Sequence, residues 1–440
     1  MQQSAARSAG VTTIVHARTQ TGAWLNVALL FFFTLTNFAD KAAIGIAAVP
    51  MMQELELSPS EFGLIGSSFF LLFPLSALAA GFIANRVETR WLLSGMGLVW
   101  ALIQFPMMGA TGFATLLACR VALGAGEGPA SPVALHAIYK WFPNERRTLP
   151  TAVIAQGGGV GIMLAVPLLN WIIVRYSWHL AFGVLGIAGL GWTIAWLALG
   201  REGVFASDDA TATTPSPVRV SYGKLVLKPT ILASWCAAFS ANWGLSQALS
   251  WQSAFLIKGL GLTQASIGLL GPLPAAASVI AMIAAGWYSQ HLLARGSSSR
   301  VARGILGSGS VVVGGAALAL MPYAPGIPTK IVLTTLGLAL PSVILVISNA
   351  VVAEITPTAQ RGALLAIGSA ISASAGILAP YMTGRLVEHA ATSLDGFNRS
   401  FVICGAIMLL GGSLGMMLIR PERDALPWAG EMRQMAVGSA

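Results

Sequence analysis

Charge is what this sequence has least of. Only 9% of its 440 residues are Asp, Glu, Lys or Arg, where a water-soluble domain carries about a quarter. That shortage excludes a surface built mainly of solvated side chains, and with it an elongated soluble helical repeat. Cysteine is scarce as well. Cys119, Cys236 and Cys404 lie far apart inside apolar runs, so neither a disulfide framework nor a C-x-x-C motif is available. All three are expected as small buried side chains. No glycine-rich phosphate loop, metal-ligand cluster or serine elbow is present, which removes the common enzyme classes. The first 23 residues hold no apolar core followed by a cleavage site, so the first apolar run is the expected insertion signal.

What is abundant is long apolar sequence. Hydrophobic residues make up 55% of the chain, with 49 glycines. A run of about 20 apolar residues spans a bilayer. Twelve such runs are read, at 24–48, 60–84, 91–111, 113–139, 150–173, 178–199, 229–257, 264–289, 303–322, 328–353, 359–385 and 398–420. The expected fold is therefore an all-α membrane protein with twelve transmembrane helices. The net charge of +9 follows topology rather than nucleic-acid binding. With the amino terminus in the cytoplasm, cytoplasmic segments hold 18 of the 25 Lys and Arg residues and outer loops five. Lys41 and Arg120 lie within spans. The positive-inside bias places both termini in the cytoplasm. The first outer loop agrees, carrying Glu54, Glu56 and Glu61 and no base.

The chain reads as two similar halves. Residues 201–228 break the apolar pattern, and Ser207 to Pro217 is a polar, low-complexity stretch expected as a flexible linker. The expected organisation is a cytoplasmic tail at 1–23, a six-helix bundle at 24–200, the linker, a second bundle at 229–420 and a tail at 421–440. Equivalent loops echo each other across the halves. Gly81 to Arg90 (GFIANRVETR) matches Gly286 to Arg295 (GWYSQHLLAR), and Pro143-Asn144-Glu145-Arg146-Arg147 matches Pro357-Thr358-Ala359-Gln360-Arg361. Parallel six-helix repeats are the arrangement of major facilitator halves. The loop after the second span resembles that family's G-x-x-x-D-R-x-G-x-R loop, with Asn85 in place of the acid and Glu88 in place of the second glycine. The resemblance implies a cytoplasmic gate that includes Arg86, Arg90 and, in the second half, Arg295.

Four charges lie deep in the spans: Asp40, Lys41, Arg120 and Glu127. A charge in hydrocarbon costs several kcal/mol unless it meets a partner or a water-filled cavity. Two acids and two bases sum to zero, and all four fall in the first half, which points to one shared site. Arg120 and Glu127 are seven residues apart, two helical turns, so they project from one face. Gly124, Gly126 and Gly128 thin that helix, and Pro129 and Pro132 bend it. A pair of structural salt bridges is the competing account; it explains less well why both acids and both bases share one half.

These residues carry a sharper resemblance. Asn37-Phe38-Ala39-Asp40-Lys41 resembles the N-Y-x-D-R segment of the anion:cation symporter family. Arg120 to Pro129 (RVALGAGEGP) resembles its R-x-x-x-G-x-G-E-G-P string, followed by Trp141-Phe142-Pro143 and Arg147. Gly376-Ile377-Leu378-Ala379-Pro380 and Gly384 match its eleventh span. The resemblance runs over about 24–420. It implies proton-coupled uptake of a small organic anion by alternating access across a bacterial-type inner membrane. Asp40 and Glu127 would be the proton-coupling carboxylates, and Lys41 and Arg120 the cations that meet the substrate carboxylate. No cofactor, metal or nucleic acid is implied, and the chain is expected to act as a monomer in the bilayer.

Departures from the family bear on the substrate. Phe38 and Phe73 stand where it often has Tyr, and Ser369 and Ala373 where it often has Asn. Each change removes or shrinks a polar group, which suits an aromatic or sparsely hydroxylated acid over a sugar acid. Asn37, in the first-span segment, is a further binding candidate; weaker ones are Gln156, Asn349, Ser372 and the spacing-four series Trp243, Gln247 and Trp251 on the seventh span. Two rivals of the same fold remain, a proton-coupled exporter and a facilitative uniporter. The fifth span reads Gly157-Gly158-Gly159-Val160-Gly161 and lacks the G-P pair typical of exporters.

Overall fold

The computed structural model describes residues 2–83, 87–142, 146–203 and 220–425. Arg86, the Ser207–Pro217 linker and the last fifteen residues lie outside them. The described residues are helical, with no strand among them. Ten helical segments are both long and apolar enough to cross a membrane. The two other expected spans have identifiable reasons for falling short. The fourth breaks at Gly128 and Pro129 into Phe113–Glu127 and Ala130–Tyr139, because proline supplies no N–H to continue the ladder and its ring crowds the preceding turn. The seventh, Pro229–Ala254, is 26 residues long but diluted by Ser, Asn and Gln.

In the first half the spans are Gln2–Ile46, Pro59–Ile83, Thr89–Met108, the broken fourth span, Thr148–Arg175 and Trp178–Leu199. In the second they are Pro229–Ala254, Leu273–Ala294, Leu306–Leu320 with the π-turn Arg300–Ile305 before it, Gly326–Ala339 with Ser342–Ile355, Thr358–Ala373 with Ala375–Glu388, and Ser393–Leu418. Within the first half the first span packs on the fifth, the second on the fourth and the third on the sixth. Within the second, the twelfth packs on the ninth and the seventh. A short helix, Tyr222–Val226, precedes the seventh span. Cys119 and Cys404 are buried, but Cys236 is exposed. The expectation of three buried thiols fails there because Cys236 falls on the outward side of the seventh helix.

The even-numbered interspan loops and the described residues that flank the central linker, Glu202 and Val220, share one face, called here the linker face; the odd-numbered loops form the far face. The halves meet at the far face. Ser60 N donates to Glu388 Oε2 at 3.1 Å and Tyr381 N to Ser67 Oγ at 3.0 Å. Gln264 Nε2 donates both to Ile46 O and to Asn170 Oδ1. Glycine permits this closeness: a Cβ on Gly384 would lie 2.2 Å from Pro59 O, and one on Gly63 2.6 Å from Pro380 O. Behind this seam, Glu54 accepts from Trp178 Nε1 and pairs with His179 Nε2, each at 2.7 Å. Those two contacts hold the Glu54 carboxyl below its usual range and tie the short helix Ala48–Glu54 to the sixth span.

At the linker face, Glu202 gathers three elements of the first half. It accepts from Thr89 Oγ1 at 2.9 Å, from Arg90 N at 3.2 Å and from Lys140 Nζ. Arg90 itself donates to Leu197 O at 2.6 Å, the carbonyl end of the sixth span, where a cation is favoured. Arg90 therefore docks on a helix end within its own half. Arg295 ends the eighth span and is exposed.

Candidate functional site

The four intramembrane charges come together. All are buried: Asp40 is 2% exposed, Lys41 8%, Arg120 3% and Glu127 0%. Lys41 Nζ lies 3.2 Å from Glu127 Oε2 and also donates to Asn37 Oδ1. Asn37 Nδ2 donates to Glu127 Oε2 at 2.7 Å. Asn37 and Lys41 are one helical turn apart, so the first span presents both to the fourth. Asp40 stands in the electrostatic field of Glu127, Lys41 and Arg120. The fourth span comes close enough because its glycines are bare: a Cβ on Gly124 would lie 1.8 Å from Phe69 O, and one on Gly128 2.2 Å from Phe73 O.

Aromatic rings line this charged centre. The Lys41 ammonium is 4.6 Å from the Phe38 ring centroid, 5.4 Å from Phe73 and 5.8 Å from Phe69. The Arg120 guanidinium lies 4.5 Å from the Phe69 centroid. Ring faces attract cations and replace part of the lost hydration. The hydrogen bonding is incomplete. Asp40 Oδ1, Glu127 Oε1, and Arg120 Nε and Nη1 are buried without a partner. Buried polar atoms are nearly always satisfied, so two acceptors and two donors without a protein partner in one place mark this cluster as a candidate site.

A cavity of about 310 Å³ lies between the halves. The first and fifth spans form one wall, and the seventh, eighth and tenth the other. The Gln264–Ile46 contact closes it toward the far face. Ala155 and Val346 on its lining are exposed. The polar side chains on the lining are Gln252, Ser253, Ser278 and Ser342, all from the second half. The rest is apolar or glycine. Phe38 lines the cavity, and none of the four charges does.

The sequence candidates divide accordingly. Asn37, Phe38, Asp40, Lys41, Phe73, Arg120 and Glu127 form one contiguous site. Gln156 is half-buried on the fifth span, near cavity-lining Ala155, with Oε1 unpartnered. The seventh-span series lies elsewhere. Gln247 Nε2 donates to Ser400 Oγ, and Trp251 Nε1 to Pro380 O, both at 2.9 Å; Trp243 is buried near Phe239. Trp243 and Gln247 point into their own bundle, while the Trp251 ring also meets Phe62 of the second span across the seam, with centroids 5.1 Å apart. The face that meets the cavity holds Leu245, Ala248, Leu249 and Gln252, spaced three and four apart; the spacing-four series picked the helix face beside it. Ser372 accepts from Asn242 Nδ2. Ser369 is exposed and does not line this cavity.

One residue escaped the sequence reading. Gln104, on the third span, is 1% exposed with both amide atoms unpartnered, and its side chain lies beside Asp40. A glutamine in an otherwise apolar run was the available signal, since burying an amide without partners is costly.

Comparisons with known proteins bear on the family and the fold. Residues 30–341 match the Major Facilitator Superfamily. The hexuronate transporter of Bacillus subtilis is 25% identical over 406 residues, covering 90% of this chain and 94% of that protein. The D-galactonate transporter of Escherichia coli is 24% identical over 302 residues, covering 64% and 70%. Among solved structures, a bacterial homologue of the human lysosomal transporter Spinster, inward-facing and occupied, superposes with a TM-score of 0.76 at 18% identity, covering 92% of this chain and 98% of that one.

Proposed function

This chain belongs to the Major Facilitator Superfamily, and from that premise we propose that it takes up a small organic anion together with protons by alternating access. The observation that carries the reading is the neutral quartet of Asp40, Lys41, Arg120 and Glu127 buried beside the cavity between the halves. Two acids and two bases balance. An anion entering such a site leaves one uncompensated negative charge in a medium where that is costly. A proton on Asp40 or Glu127 restores neutrality, and each has a buried oxygen with no other partner to receive it. Protonating Glu127 also releases Lys41 from its ion pair, so proton and anion favour each other's binding. Protons are the coupling ion, and no cofactor takes part.

The substrate class follows from the lining. The named relatives transport sugar acids, whose several hydroxyls each need a partner when buried. This cavity offers four polar side chains, all on one wall, facing Phe38 and apolar residues. We place an aromatic or sparsely hydroxylated carboxylate there, with its charge toward Lys41 and Arg120. The linker face is taken as cytoplasmic from its excess of Lys and Arg, which sets both termini inside a bacterial-type inner membrane and makes this the inward-facing state of a monomer.

The test is uptake of labelled acids into proteoliposomes under an inward proton gradient, with wild type compared to Glu127→Gln. The panel holds aldonates, hexuronates, benzoate-type acids and dicarboxylates. Benzoate-type acids are expected to accumulate in wild type, while the variant keeps exchange and loses accumulation. A gradient without effect on either protein would assign the charges a structural role and leave an exporter or uniporter in place of this reading. Equal competition by galactonate and benzoate would remove the substrate preference alone.

A further inference from the structure

Phe38 separates the cavity from the charged quartet. Its ring lines the cavity on one side and lies 4.6 Å from the Lys41 ammonium on the other, while none of the four charges reaches the cavity lining. An anion in the cavity therefore meets an aromatic wall before it meets a cation. Behind the ring lies the glycine run of the fifth span, and each of its members faces something different. A Cβ on Gly157 would lie 2.6 Å from Phe31 O, and one on Gly161 2.5 Å from Leu35 O, so these two seat the first span's backbone. A Cβ on Gly158 would lie 2.9 Å from Phe38 Cε2 and 3.0 Å from Cδ2. A Cβ on Gly159 would lie 2.5 Å from Val279 Cγ2, across the seam on the eighth span. The residue that supports the Phe38 ring thus adjoins the residue that touches the other half.

From this arrangement we infer that Phe38 is a gate between the cavity and the quartet, driven by the sliding of the eighth span over Gly158 and Gly159. With the ring in place, protons and anions in the cavity are kept from Asp40, Lys41, Arg120 and Glu127. When the halves rock, Val279 shifts against Gly159, the adjoining Gly158 support moves, and the ring turns away. The carboxylate then exchanges the ring face for the ammonium. The gate prevents the quartet from being loaded and unloaded by protons alone, which would dissipate the gradient without moving substrate. Phe38 acts through the charged residues as a positioning residue; it need not bind the anion itself. The inference rests on the proton-coupled reading above.

The test measures proton entry into pyranine-loaded proteoliposomes with no substrate present, beside gradient-driven uptake. Wild-type uptake tests the proton-coupled reading by itself. The gate is read from the variants relative to wild type. Phe38→Ala is expected to raise substrate-free proton entry several-fold and to lower the ratio of substrate to protons carried. Adding Glu127→Gln to Phe38→Ala is expected to abolish that leak, because the path runs through the quartet. Gly158→Ala places a methyl against the ring, so it should slow turnover while leaving proton entry at the wild-type level. Packing loss alone would lower uptake in Phe38→Ala without a leak. The gate is overturned by a Phe38→Ala protein that stays proton-tight, or by a leak that survives Glu127→Gln. If Phe38→Ala fails to fold, Phe38→Leu and Gly158→Ala decide: a proton-tight Phe38→Leu, or a Gly158→Ala with unimpaired turnover, overturns it as well.

Discussion

The guanidinium of Arg120 rests on Phe69, with Nε and Nη1 buried and without a protein hydrogen-bond partner. A planar fork of donors matches a carboxylate in a way that a lysine ammonium does not. Arg120→Lys keeps the charge balance and loses the fork. It should weaken anion binding by about 10- to 100-fold, the equivalent of the roughly 1.5–3 kcal/mol of one hydrogen bond to a charged group. Calorimetric titration of the detergent-solubilised protein with the transported acid measures this, and an unchanged affinity would confine Arg120 to balancing the acids. At this scale the sequence was highly legible. A charge inside an apolar run has few reasons to be there, so Asp40, Lys41, Arg120 and Glu127 stood out unaided. Gln104 did not, because an uncharged amide is a weak signal until its burial beside Asp40 is seen.

Between helices, small residues set how closely charges on neighbouring spans approach. Gly124 is the tightest case, with Phe69 O only 1.8 Å from where a Cβ would stand. Since backbone cannot move aside cheaply, Gly124→Ala should destabilise the first half by about 3 kcal/mol, the upper range for an overpacked core. Thermal unfolding in detergent would show it; a melting temperature equal to wild type would mean that the second and fourth spans part without cost. Glu202 offers a milder test. Burial raises its pKa, but the hydrogen bonds from Lys140 and Thr89 outweigh this and hold it below the usual carboxylate range. A depressed folded pKa stabilises the fold above the ordinary carboxylate value, and the contribution is lost as pH falls through the folded value. Glu202→Gln should therefore cost about 1 kcal/mol near neutrality, a charged hydrogen bond discounted for partial exposure. The gap from wild type should close in acid. A gap that stays constant down to low pH would show that charge is not its source. Spans were legible as elements, but the face that each presents was not: on the seventh, Trp243 and Gln247 turned into their own bundle, Trp251 packed on Phe62 across the seam, and the neighbouring series met the cavity.

The halves close on each other at the far face over glycines, with Gly384 against Pro59 and Gly63 against Pro380. Bulk at Gly384 should disfavour this closure and shift the population toward the opposite state without unfolding either half. Gly384→Val is expected to lengthen the distance between spin labels on Glu56 and Ala391, both exposed on that face, and to reduce transport. An unchanged distance distribution would mean that the seam tolerates the side chain.

Composition, apolar runs and the asymmetry of Lys and Arg determined by themselves that this chain is a membrane protein of two six-helix halves with a charged centre in the first. Those features follow from transfer free energies, which depend on residue type and spacing along one chain. Tertiary structure alone decided that the quartet lies behind Phe38, that the second half contributes Gln252, Ser253, Ser278 and Ser342, and that the halves meet at the far face. These depend on the rotation of each helix about its own axis and on contacts between residues as far apart in the chain as Gly159 and Val279. In a span apolar all round, hydrophobic periodicity does not mark the inward face, so packing decides it.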